Sequence, residues 1–224
     1  PFLRVTQHEL AHVLRVCDHG AMATWSNWSG SVRGTPAEFS SPRTEGELAA
    51  LVARARKVRV VGAGHSFMPL CETDGTLVSL SAMEGTIELS ADKTRAWAPA
   101  GWSLAKLTAA LWDEGVSLIN QGDVNPQALA GAIATGTHGT GATLGSLSTA
   151  ARAFRLMLAD GSVVNCSPAE NPELFEAQRL SLGLLGVAIA IEIDVLPAYH
   201  LEERIESRPF EEVAAGWNEL VAAN

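Results

Sequence analysis

The sequence predicts an α+β fold, and three observations carry that expectation. Strand and helix signals occur in mixed order rather than in strict alternation, which argues against a doubly wound sheet. Asp160-Gly161 stands between two strand-like runs, a strong hairpin signal. Two well-punctuated amphipathic helices open after Thr44 and Ser103. With 224 residues, 47% of them hydrophobic and 18% charged, the chain has ample material for a core.

Residues 1–40 read as an N-terminal extension. Within it His8 to Val16 has the pattern of a short helix, and WSNWSG, Trp25 to Gly30, that of an irregular aromatic-rich turn. A helix then opens at Thr44, where Thr44 and Glu47 have capping-box spacing and Leu48, Leu51 and Val52 form an apolar stripe. Val58 to Val61 reads as a buried strand, and shorter strand signals recur at Thr76–Leu80, Thr86–Leu89 and Arg95–Ala98. Ser103 to Glu114 is an amphipathic helix with Leu104, Leu107, Ala110 and Leu111 on one face and Gly115 as its stop. Arg152–Leu158 and Ser162–Asn165 flank the Asp160-Gly161 turn. Pro172 to Gln178 reads as a short helix after Asn171. VAIAIEIDV, Val187 to Val195, alternates as a strand that Pro197 breaks. From about residue 198 the composition shifts, as at the start of a further domain.

The formal net charge is -9. No Lys/Arg cluster marks a nucleic-acid face, so an anionic ligand would rest mainly on backbone N–H groups and helix N-termini. Cys17, Cys71 and Cys166 are far apart, odd in number and outside any C-x-x-C, which points away from zinc or a disulfide framework. No apolar run approaches the length of about 20 residues that spans a bilayer, and no secretory signal stands at Pro1, so a cytoplasmic location is expected. A chain that starts at proline is read as processed or as a fragment.

Two glycine loops carry the functional signal. In KVRVVGAGHSF, Lys57 to Phe67, Gly62-Ala63-Gly64 follows a strand, where glycine lets backbone amides approach an anion. The dinucleotide fingerprint requires a third glycine at the position of Phe67, so the nicotinamide-cofactor reading fails there. The second loop runs from Gly131 to Gly141 and is built almost wholly of small residues. Such a run adds little core volume; its value is a backbone against which something else lies. Each loop carries a histidine, His65 and His138, which suggests one extended ligand between two layers. Neither histidine has a carboxylate or cysteine at ligand spacing, so no metal site is expected.

VRVVGAGHSF, CETDGTLVSLSAM, NQGDVNPQALAGAIATGTHGTG and GLLGVAIAIEID occur in that order. Together they resemble the FAD-binding half of the sugar-1,4-lactone and alditol (xylitol) oxidases, in the vanillyl-alcohol-oxidase (PCMH-type) flavoprotein superfamily. The resemblance covers about Pro42 to Pro197. It implies a PCMH-type FAD-binding domain over 41–197, made of two α+β subdomains at about 41–100 and 101–197 with FAD between them. Residues 198–224 would begin a substrate domain. Gly62, Ala63, Gly64, His65, Ser66 and Phe67 would wrap the pyrophosphate, with His65 as the covalent tether to the flavin 8-methyl carbon. Ser81, Gly122, Asp123, Ala128, Gly131, Ala132, Ile133, Ala134, Thr135, Gly136 and His138 match segments along the flavin. Gly186 and Val187 match the start of a strand near the adenine.

The resemblance implies oxidation of a sugar lactone or polyol C–OH by hydride transfer to flavin N5. Glycine at position 122 implies access for O2, giving peroxide, and favours an oxidase over a dehydrogenase that uses a quinone or cytochrome. The acid–base residues are expected beyond Asn224. A third reading is a flavin-carrying subunit active only with a second polypeptide. A fourth is a nucleotide-binding protein without flavin.

Overall fold

The computed structural model describes residues 24–223 and the backbone of Leu14 and Arg15. The first sheet joins β1 (Leu14–Arg15), β2 (Thr24–Ser26) and β3 (Arg33–Gly34), all antiparallel. The helix expected over His8 to Val16 lies outside the described residues except at Leu14–Arg15. There the backbone is extended and paired with Trp25 and Thr24, so its polar groups are satisfied across strands rather than along a helix.

A small parallel sheet follows, built from β4 (Glu38–Ser40), β5 (Val58–Val61) and β6 (Thr76–Ser79) in the order β4-β6-β5. Helix α1 (Glu45–Arg54) crosses between β4 and β5. Thr44 Oγ1 accepts from the Glu47 amide at 3.2 Å, as the capping box requires. The return bond is displaced by one residue: the Glu47 carboxylate accepts from the Arg43 amide, at 2.8 Å, rather than from Thr44. Leu48, Leu51 and Val52 are buried as the spacing predicts.

The large sheet is antiparallel. It contains β7 (Glu88–Leu89), β8 (Arg95–Pro99), β9 (Val116–Leu118), β10 (Ala151–Met157), β11 (Val163–Cys166) and β12 (Val187–Pro197). Their order is β11-β10-β12-β8-β7, with β9 on the far end of β12. Gly161 takes φ +82° in the β10–β11 turn, and its amide bonds to Leu158 O at 3.0 Å. Pro197 does not stop β12 at Val195; it is the final paired residue, opposite Val116. Strands β7 and β8, on the near side of the 100/101 division read from the sequence, pair within this large sheet.

Helices α2 (Leu104–Asp113), α3 (Leu129–Ala134), α4 (Leu147–Ala150) and α5 (Pro172–Gln178) accompany the large sheet. Ser103 caps α2, and Gly115, at φ +78°, follows its last turn. Leu104, Leu107 and Leu111 pack with Leu129, Ile133, Phe154 and Ile191 in the main core. Each such side chain contributes about 1.5–3 kcal/mol by burial. A second cluster joins α1 and Val78 of the small sheet to Met157, Val187 and Ile189 of the large one, so the two sheets share apolar contacts. Beyond β12, α6 (Phe210–Ala215) and α7 (Trp217–Ala222) bury no residue. No helix among the described residues is long and apolar enough to cross a membrane.

Candidate functional site

Strand β5 ends in buried Val61 and opens into the first glycine turn, where Gly64 takes φ +64°. A Cβ on Gly62 would lie 2.7 Å from Ala128 Cβ, closer than two carbons approach. The absent side chain therefore lets the first loop lie directly against the residue that precedes α3. Between them a cleft of about 460 Å³ opens, walled by segments that follow both the small and the large sheet.

Gly62 to Ser66 of the first turn and Ser81 beyond β6 line this cleft. So do Ala128, Gly131, Ala132, Ala134 and Thr135 from α3 and its flanks, and Gly186 before β12. The second small-residue stretch is thus partly a helix: Leu129, Ala132 and Ile133 give it an apolar side that sinks into the main core. Ile133 and Val187 are buried in the core rather than on the cleft wall. Phe67 projects outward, 67% exposed. Gly122, Asp123, Gly136 and His138 also lie off the wall. Gly122 is packed against the loop that follows α3, where an added Cβ would meet Thr137 Cγ2 at 3.1 Å and His138 O at 3.3 Å. His138 is exposed and its Nδ1 is 2.8 Å from Gly139 O, a bond that fixes the loop.

Several wall residues escape sequence reasoning because they come from unrelated elements. Trp102, Ser103 and Lys106 arrive with the start of α2, Gln127 with the turn before α3, and Gln178 with the end of α5. Lys106 Nζ sits 3.7 Å from the Trp102 ring centroid, a cation–π contact. Among the described residues, Arg59 and Lys106 are the arginine and lysine of the wall and no carboxylate lines the cleft, although the chain carries 25 acidic and 16 basic residues. Cys71 is also on the wall. Burial pushes its thiol up, and the thiol donates to Val60 O at 3.4 Å, so it stands as a neutral wall group rather than a nucleophile.

Among the described residues, the buried side-chain polar atoms without a hydrogen-bond partner are Trp25 Nε1, Trp102 Nε1, Gln127 Oε1 and Gln178 Oε1. All four residues line this one cleft. Unsatisfied buried donors and acceptors each cost about 1–3 kcal/mol, and these four atoms are closed off from the open cleft that their residues line. A glycine turn, a wall of small residues and the two basic side chains Arg59 and Lys106 fit FAD, with its anionic pyrophosphate. No group of three or more His, Cys, Asp or Glu among the described residues could hold a metal ion. Outside the wall, the Trp28 ring stacks on the His65 ring, with centroids 5.1 Å apart and planes 7° from parallel.

Comparison with known proteins agrees with this geometry. The sequence model of the family described as "FAD binding domain" matches residues 36–167. The chain is 33% identical over 204 residues to the L-gulono-1,4-lactone dehydrogenase of Mycobacterium tuberculosis, covering 89% of this chain and 47% of that protein. It is 35% identical over 183 residues to the L-gulonolactone oxidase of Mus musculus, covering 80% and 42%. It is 33% identical over 205 residues to the D-arabinono-1,4-lactone oxidase of Yarrowia lipolytica, covering 88% and 39%. The chain therefore spans somewhat less than half the length of these relatives.

Proposed function

The chain belongs to the FAD-binding domain family of the sugar-1,4-lactone oxidases and dehydrogenases, and from that premise we propose that it is the flavin-holding part of an oxidoreductase acting on a sugar-lactone or polyol C–OH. The carrying observation is the cleft between the two glycine stretches, walled by small residues with Arg59 and Lys106 and, among the described residues, lined by no carboxylate.

When bound, FAD supplies the hydride acceptor. The residues of this chain hold and orient it. Amides of the Gly62–Ser66 turn would hold the pyrophosphate, and Arg59 and Lys106 would offset its charge. Trp25, Trp102, Gln127 and Gln178 line the same cleft. The Gln127 amide is already oriented, since its Nε2 donates to Thr137 Oγ1 at 3.3 Å. The cleft draws on both sheets, which supports FAD lying between two α+β lobes, with His65 as its covalent tether. The base that takes the substrate hydroxyl proton is expected beyond Asn224, in a substrate domain on this or a second polypeptide.

O2 is the proposed acceptor. Its support is the resemblance at Gly122, which in this structure is packed against Thr137 and His138 off the cleft wall. The relatives include both a dehydrogenase and oxidases, so a quinone or cytochrome acceptor is the second reading. Purified protein is denatured in acid and washed, and flavin is measured in pellet and supernatant. Flavin in the pellet, lost in His65→Ala, supports the tether. Flavin in the supernatant supports FAD without it. Flavin in neither fraction overturns the proposal. Reduced flavin that stays reduced in air would replace the oxidase with the dehydrogenase.

A further inference from the structure

Within WSNWSG, Trp25 lines the cleft, while Asn27 and Trp28 are built onto the histidine turn. The Trp28 amide donates to Gly64 O at 3.1 Å. Asn27 is 3% exposed, and its Nδ2 donates to Ser66 O at 2.9 Å and to the Ser29 and Ser31 hydroxyls at 3.1 Å. Its Oδ1 accepts from the Val32 amide at 3.0 Å. Gly30 turns the loop at φ +72°. Two bonds therefore grip the backbone on either side of His65, at Gly64 and Ser66. The indole of Trp28 lies flat on the imidazole between those grips, and Phe67 braces the indole edge-on at 5.6 Å.

We propose that Trp28 is a positioning residue for His65: the Asn27–Trp28 loop clamps the histidine turn and fixes the plane of the imidazole at the cleft. A parallel stack occupies a face of the ring and leaves its edge, which carries both nitrogens, outside the stack. Rotation of the ring about its Cβ–Cγ bond by less than a half-turn would break the stack, so one ring plane is held before any ligand arrives. Trp28 is 51% exposed and makes little core contact, which separates this role from a simple share in the fold. The inference rests on the reading that the Gly62–Ser66 turn holds FAD.

The test is a double-mutant cycle on flavin-free full chain, made in a riboflavin-starved host and titrated with FAD. Wild type, Trp28→Ala, His65→Ala and the double variant are compared by the FAD concentration needed for half-maximal flavin fluorescence change. Trp28→Ala is expected to raise that concentration about 2- to 10-fold, the range of an aromatic pair. In the His65→Ala background the same change is expected to do nothing, since the partner is gone. Trp28→Phe, which can still stack, is expected to restore most of the wild-type value. Equal effects of Trp28→Ala in both backgrounds, or no rescue by phenylalanine, would overturn the clamp. Acid-stable flavin is read in parallel. If wild type has none, the tether fails while the cycle still decides the clamp. If no variant responds to FAD, the FAD reading itself fails and the clamp with it.

Discussion

Gly62 and Gly131 line the same cleft, and they lack a side chain for different reasons. At Gly62 a Cβ would strike Ala128 at 2.7 Å, so the glycine is required by contact between the two loops. At Gly131 nothing lies within 4 Å of an added Cβ, although the residue sits inside α3, where glycine costs about 0.5–1 kcal/mol relative to alanine. Packing explains the first glycine and leaves the second unexplained. An open, helix-weakening glycine on a cleft wall makes sense when a ligand lies against its backbone. Small residues in a sequence therefore signal two distinct things, and the neighbours of the missing Cβ separate them.

The largest effect is expected at the first glycine. Gly62→Ala should destabilise the flavin-free chain by about 1–3 kcal/mol through overpacking, and Ala128→Gly in the same molecule should relieve most of it. Urea unfolding of the two variants measures both, and a single variant as stable as wild type would break the loop-to-loop account. Next comes Gln178, which is 4% exposed with an unpartnered Oε1. Gln178→Met should raise the stability of the flavin-free chain by about 1 kcal/mol while weakening FAD binding about fivefold. Loss of stability without loss of binding would assign the glutamine to the core. Gly131→Ala should show the same opposition on a smaller scale, stabilising the flavin-free chain by about 0.5–1 kcal/mol and weakening FAD binding. If it binds FAD as wild type does, the contrast between the two glycines fails.

The smallest effect lies away from both loops and serves as a control. Asp92 accepts from the Ser90 hydroxyl at 2.7 Å and from the Thr94 hydroxyl and amide, and these bonds lower its carboxyl from near 3.8 to about 2. A depressed folded-state value means the contribution is present above about pH 4 and is lost as pH falls toward 2. Asp92→Asn should flatten the loss of stability across that window in an acid titration and leave flavin retention unchanged.

The parts of the fold that were legible were those with local chemistry. Thr44 and Glu47 announced α1, Leu104, Leu107 and Leu111 announced α2, and Asp160-Gly161 announced the β10–β11 turn. Strand β4 was not legible, because three residues hold no period and gain their pairing only from β6. Helix α3 was hidden by its own alanines and glycine, which read as loop although Leu129, Ala132 and Ile133 mark a helical face. The cleft was half legible. Gly62 to Ser66 and the residues around Gly131 were visible as stretches, whereas Trp25, Trp102, Gln127 and Gln178 converge only through tertiary structure. Their signal is an unsatisfied polar atom, which a sequence does not display.

Strand β12 is the last of the large sheet to be synthesised and yet occupies its middle. β8 and β10 each pair with it and not with each other. A nascent chain that has reached Gly186 therefore holds two strands with open hydrogen-bonding edges and an empty slot between them. Such edges are sites of mispairing between molecules. The small parallel sheet is complete by Ser79 and can form early, but the large sheet closes in a single late step that joins Asp194 back to Arg95. Synthesis through Pro197 is thus the point at which an aggregation-exposed intermediate becomes a protein with its two central edges sealed.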